Sequence, residues 1–212
     1  RRACARVGGT SVGGGARGTA LTDNVFGLLG GPDAGTWGEV VAYPNPVVIL
    51  EHAPATRLVG NTLLGGAPWA VYDRASFFGD YADPEDGAVL LGNRVGVDPD
   101  GARRGAPSGH GILAVGSYAT IGGVGPGEGN VIVGAGGAGI AVGQVAGVVV
   151  RGDVLADNGG LGVSLGGGDC PLPNDPGDTD GGANGGQNHP RVRGYVADPP
   201  SAVATLGSRA DT

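Results

Sequence analysis

A corner that recurs five times limits this chain more than any single residue does. Bends of the Gly-Asn type stand at Asn24, Asn61, Asn93, Asn130 and Asp153, and two residues after each comes an apolar side chain: Phe26, Leu63, Val95, Ile132 and Leu155. The residues between, Val25, Thr62, Arg94, Val131 and Val154, are mixed and include an arginine, as on the outward side of a strand with alternating side chains. Three residues before the corner stand Leu21, Leu58, Leu90, Gly127 and Val150, again mostly inward types. Positions five apart cannot share a face of one unbroken strand, so the chain must turn between them. Gly60, Gly92, Gly129 and Gly152 immediately precede the bend, and Gly and Asn reach left-handed backbone angles at the least cost.

A second register runs beside the first. Gly111-Ile112-Leu113-Ala114-Val115, Gly139-Ile140-Ala141-Val142 and Gly162-Val163-Ser164-Leu165 each place a branched or apolar residue after Gly and another two later, at spacings of 28 and 23 residues. Between Gly139 and Gly162 a whole circuit can be traced. It has a strand at Ile140 to Val142, another at Gly147 to Val150, the Gly152-Asp153 corner, a third strand at Val154 to Leu155, and the loop Asp157 to Gly160. The preceding, longer circuit carries its surplus as Gly-rich padding from Gly122 to Gly127. Short strands with turn residues at this period are what stacked parallel coils produce, each rung about 4.8 Å above the last. The expected interior holds Phe26, Leu63, Val95, Ile132, Leu155, Ile112, Ile140 and Val163. Asn24, Asn61, Asn93 and Asn130 should line one corner, where stacked amides bond to one another.

Composition fits this thin, one-dimensional core. The 212 residues include 48 Gly and 15 Pro, which without periodicity would suggest disorder, but the recurring Val, Ile and Leu argue for order. No Gly-X-Y repeat and no long amphipathic helical stretch is present. The net charge of −7 and the absence of lysine disfavour nucleic acid and anionic lipid as partners. No apolar run approaches transmembrane length, and no signal peptide is visible. A chain without Met reads as a mature or excised piece, and Cys4 and Cys170, able to pair or to remain separate thiols, lean toward an exported setting.

From Leu91 to Pro190 the wording resembles a known architecture. Leu91-Gly92-Asn93-Arg94-Val95-Gly96-Val97-Asp98, Thr120-Ile121-Gly122-Gly123 with Gly129-Asn130-Val131-Ile132, Asp157 to Leu165, and Asn174-Asp175 with Gln187-Asn188-His189-Pro190 are similar to right-handed parallel β-helix repeat proteins of bacterial exported and surface proteins, which share the pectin-lyase-like architecture. Together with the corner pattern, which alone covers the first 90 residues, this resemblance leads to the reading of an all-β, right-handed parallel β-helix over residues 1–190, with irregular Gly-rich loops and six or seven coils. In that family a β-sandwich module often follows, so Arg191 to Thr212 reads as the start of another module in a longer polypeptide.

Four groups of residues are candidates for chemistry. Ser108-Gly109-His110-Gly111 looks like the Gly-His-Gly segment of polygalacturonases, inverting hydrolases that need one carboxylic acid for the leaving oxygen and a second to activate water. Glu85 and Asp86 form the nearest acidic pair, but the family's Asn-Thr-Asp, Asp-Asp and Arg-Ile-Lys motifs are missing, and His110 equally fits a variable turn of the repeat. A lyase would need calcium and a basic residue beside a uronate. Arg94 and Arg151 sit at outward positions, with no acidic cluster aimed at them in sequence.

The acidic loop 169–184 is the metal candidate. Asn174, Asp175, Asp178, Asp180 and Asn184 set five oxygen-bearing side chains among glycines, the hard-ligand, flexible-loop combination that Ca2+ prefers. The alternative is a turn-rich cap held by bonds from these side chains to the backbone. Finally, a stretch at about 66–88, read as a loop insertion, carries Trp69, Tyr72, Phe77, Phe78 and Tyr81, followed by Asp83, Glu85 and Asp86. Trp69, Tyr72, Phe78 and Tyr81 are the expected ligand contacts, suited to stacking on sugar rings. The competing reading is a satellite cluster packed on the wall. The reading as a whole is a secreted or cell-surface module, non-catalytic and in contact with polysaccharide, with a polysaccharide lyase or glycoside hydrolase as the alternative.

Overall fold

A computed structural model describes residues 10–13, 15–27, 47–66, 68–75, 83–168, 170–179, 181–197 and 200–205. Up to Leu165 the short strands wind through three sheets in turn, and Gly60, Gly92 and Gly152 take left-handed angles where the chain passes from the second sheet to the third. The first sheet stacks β1 (Thr10–Val12), β4 (Val48–Glu51), β7 (Val71–Arg74), β10 (Ile112–Ala114), β13 (Ile140–Val142) and β16 (Val163–Leu165). The second stacks β2 (Ala20–Thr22), β5 (Arg57–Val59), β8 (Val89–Leu91), β11 (Thr120–Ile121) and β14 (Val149–Val150). The third stacks β3 (Val25–Phe26), β6 (Thr62–Leu63), β9 (Arg94–Val95), β12 (Val131–Val133) and β15 (Val154–Ala156). Every pairing within these sheets is parallel. Five complete rungs and the opening strand of a sixth are thus present among the described residues, an all-β parallel solenoid.

Register explains the burial. Ile112 lies between Val71 and Ile140, Leu58 between Leu21 and Leu90, and Leu63 between Phe26 and Val95, so like side chains stack inside the tube. Phe26, Leu63, Val95, Ile132, Ile112 and Ile140 are buried, as the spacing predicts. Two expected core residues differ: Leu155 is only half-buried and Val163 is 39% exposed. Both belong to the last strands of their sheets, where no further rung covers them. Thr62, expected on the outside, is buried. The neighbour of Leu90 in the next rung is Ile121 and not Gly127, because the Gly-rich padding intervenes between β11 and the Asn130 corner.

The predicted corner is present as a directional ladder. The backbone N–H of Asn24, Asn61, Asn93 and Asn130 each donates to the side-chain Oδ1 of the next corner residue, at 3.0, 3.0, 2.9 and 2.7 Å, ending on Asp153. The side-chain amide of each Asn donates to the same oxygen. From the second rung onward it also reaches back to a carbonyl of the previous rung, Leu21, Leu58 or Leu90. An amide is needed here because each side chain must accept on one side and donate on the other. The glycine before the corner serves two purposes. Gly92 is left-handed, with φ +61°, whereas Gly129 is not left-handed but would bring a Cβ to 1.9 Å from the Gly152 carbonyl oxygen.

Beyond β16 the chain forms a cap without regular strands. An antiparallel hairpin of β17 (Arg191–Ala197) and β18 (Pro200–Thr205) follows, with a register shift between Val192 and Gly194. Among the described residues no helix is long and apolar enough to cross a membrane.

Candidate functional site

Part of the 66–88 stretch is wall. Val71–Arg74 is β7, in register with Val48–Glu51 on one side and, over its first three residues, with Ile112–Ala114 on the other. Alternation then sends Val71 and Asp73 inward and Tyr72 and Arg74 outward. Trp69, just before the strand, stacks on Tyr72 with ring centroids 4.7 Å apart and planes 26° from parallel. Both rings are half-buried. The Arg74 guanidinium carbon lies 5.8 Å from the Tyr72 ring centre, and Arg74 Nη1 donates to Glu51 Oε1 at 3.0 Å. Ile49 and Leu113 are the register neighbours of Tyr72, so the outer face of the first sheet carries an apolar strip, bordered by a guanidinium and a carboxylate. Such a surface can stack on the C–H face of a sugar and bond its hydroxyls at the edge. Phe77, Phe78 and Tyr81 lie outside the described residues.

Glu51 and Arg74 were not legible as a pair in the sequence. The signal was alternation in Val71-Tyr72-Asp73-Arg74, obscured once the segment was read as an insertion.

The catalytic candidates are not gathered together. His110 stands in the turn from the third sheet to the first, and its Nδ1 accepts the N–H of Ala138 at 3.0 Å, which puts the proton of a neutral imidazole on Nε2. Glu85 and Asp86 belong to a short 3-10 turn, Pro84–Asp86, between the first and second sheets. Glu85 is exposed, while Asp86 is buried and ion-paired with Arg17. The acids and the imidazole therefore occupy different corners of the tube. Arg94 faces outward between Thr62 and Val131.

In the acidic loop the side chains bond to the backbone. Asn174 Nδ2 donates to the His189 carbonyl at 2.7 Å, and Asn174 Oδ1 accepts the His189 N–H at 3.0 Å. Asp175 Oδ2 accepts the N–H and hydroxyl of Thr179, both at 2.8 Å, while Asp178 Oδ1 accepts the Asn188 N–H at 2.8 Å. Asn184 belongs to a different contact, its amide pairing with the N–H and carbonyl of Val148. Asp180 lies outside the described residues. Among the described residues no three His, Cys, Asp or Glu side chains gather around a common point where an ion could sit. Cys170 is exposed, and Cys4 lies outside the described residues.

One buried carboxylate went unread in the sequence. Asp73 points into the tube between Leu50 and Ala114 and is 1% exposed. Its Oδ1 accepts the Ala75 N–H at 3.0 Å, and its Oδ2 has no hydrogen-bond partner among the described residues. Burial raises its pKa to about 6, against the opposing effect of the Ala75 bond. Asp153, at the end of the ladder, is also raised by burial, with the Asn130 bonds opposing.

No protein-family model matches this chain, and no curated protein or solved structure shows significant similarity to it.

Proposed function

We propose that this chain is a non-catalytic exported or cell-surface module, a right-handed parallel β-helix of the pectin-lyase-like kind, that holds polysaccharide against the outer face of its first sheet. The observation that carries this reading is the Trp69–Tyr72 stack with the Arg74–Glu51 pair at its edge. Aromatic surface beside hydrogen-bonding charges suits a sugar ring, and a flat, rigid sheet presents it at little entropic cost. Right-handed winding follows from the strong preference of parallel crossovers for that hand. The corner ladder and the resemblance around Asn93, Asn130 and Gln187 to Pro190 support the architecture, and the absence of lysine and the acidic charge fit a neutral polymer better than a polyanion.

Hydrolysis would need two carboxyl groups across a sugar from each other. Glu51 is bound to Arg74 on this face, and Asp73 of the same sheet points inward. In affinity electrophoresis against neutral and acidic glycans, the double variant Trp69→Ala/Tyr72→Ala is expected to lose the retardation that the parent chain shows. Equal migration of parent and variant on every glycan sinks the reading. Unsaturated or reducing-end products from the parent chain would favour the enzymatic alternative.

A further inference from the structure

Among the described residues the sixth rung exists on one sheet only. After β16 the chain turns away through Gly166 and Gly167, both left-handed with φ of +77° and +73°, and enters the cap, so the second sheet stops at β14 and the third at β15. The cap meets the beginning of this edge. Asn184 Oδ1 accepts the Val148 N–H at 2.9 Å, its Nδ2 donates to the Val148 carbonyl at 3.1 Å, and its own N–H donates to the Val145 carbonyl at 2.6 Å. Past Val148 the edge is open: the inward-facing Val150 and Leu155 are only half-buried, whereas Ile121 and Ile132, their register neighbours one rung below, are fully buried. Beside it lies a cavity of about 210 Å³ lined by Val142, Val148, Val150, Val163 and Leu165 of the tube and by Asn184 and Gln187 of the cap.

Two polar groups at this edge lack partners among the described residues. Four corner residues in succession donate their backbone N–H to the next rung; Asp153, the fifth, has no next rung, and its N–H meets no acceptor. Its Oδ2 is buried without a hydrogen bond.

We propose that this vacant half-rung is a strand-acceptor site for an extended segment of a partner polypeptide built on the pattern of this chain's own rungs: an apolar strand, a Gly-Asn corner and a second apolar strand. The segment's Asn oxygen takes the Asp153 N–H. Its amide donates to the Val150 carbonyl, as Asn93 does to Leu58 and Asn130 to Leu90. The apolar residue three before its corner enters the cavity over Val150, and the one two after covers Leu155. A backbone occupant is favoured over a small apolar ligand because the cavity is bordered by edge strands, whose main-chain groups only another strand satisfies in series. Asp153 tunes the strength. A carboxylate cannot supply the side-chain donor that Asn supplies at the other corners, so the site holds its occupant reversibly.

The test uses a synthetic peptide with the sequence of residues 88–96, which carries the β8 strand, the Asn93 corner and β9. It is labelled and titrated by fluorescence anisotropy against the whole chain and against Asp153→Asn, whose folding is checked by circular dichroism. Saturable binding is expected, about tenfold tighter to Asp153→Asn, and lost from both when the peptide residues matching Leu90 and Val95 are replaced by Asp. No binding to either protein, equal affinity for the two, or binding that survives the peptide replacements overturns the proposal.

Discussion

Asn93 and Asp153 occupy the same corner, two rungs apart, and their surroundings could hardly differ more. Asn93 is buried between two like residues. It accepts from the N–H and amide of Asn61 and donates to Leu58 and Asn130, so each side-chain polar atom is matched. Asp153 accepts from Asn130 and, among the described residues, has no further rung above it. A repeated rung therefore makes polar burial inexpensive in the middle of the tube, where every group meets its own kind. The same burial is costly at the end, where the repeat stops. Asp73 shows that cost in the interior, since it faces Leu50 and Ala114 instead of another polar side chain.

The contrast can be broken by substitution. Asn93→Ala removes one link and leaves buried donors and acceptors on both sides unmatched, for an expected loss of about 4 kcal/mol in urea unfolding. Asn24→Ala, at the half-exposed start of the ladder, should cost about 1 kcal/mol. Equal losses at the two positions would show that the stacked amides do not act through burial.

Asp73→Asn comes next. The folded-state pKa is raised, so the wild-type carboxyl favours the fold fully below its ordinary value of 3.8, and that contribution is lost as pH rises through about 6. At pH 7.5 the variant should be more stable by about 2 kcal/mol, the relief of a buried charge less the cost of an unmatched amide donor. At pH 4 the two chains should unfold together. A variant less stable at pH 7.5 would mean that the charge has a partner beyond the described residues.

Asp153→Asn has a smaller expected effect, a gain of about 1 kcal/mol from restoring the amide donor at a half-buried corner. Its pKa is raised as well, so the gain should shrink as the pH falls. Smallest of all is the effect of a chelator. Asn174, Asp175 and Asp178 are already engaged with backbone and hydroxyl groups, so EDTA should shift the melting temperature by less than about 1 °C. A fall of several degrees would place a calcium ion in the acidic loop.

Much of the fold was legible because its determinants are local. A Gly-Asn pair fixes a corner, and an apolar residue two places later fixes which face turns inward, so Leu63, Val95 and Ile132 could be placed from spacing alone. Position along the stack is not local. Val163 has the same local sequence pattern as Ile140, yet it is exposed because it lies in the last strand of its sheet. The candidate site was half legible. Trp69 and Tyr72 stood out as aromatics, but Arg74 and Glu51 come together only through the register of β4 with β7, which no short window displays. Asp73 was missed for the same reason, since an aspartate in a loop-like stretch gives no sign that its strand points it into the core.

The central claim, parallel rungs stacked in register, is open to one direct measurement. In a nuclear Overhauser spectrum of the isotope-labelled chain, the side-chain amide protons of Asn61 should show contacts to those of Asn93, and Asn93 to Asn130, as rungs about 4.8 Å apart require. Absence of these contacts, with short Hα–Hα pairs of antiparallel strands between Arg94 and Val131 in their place, would contradict it.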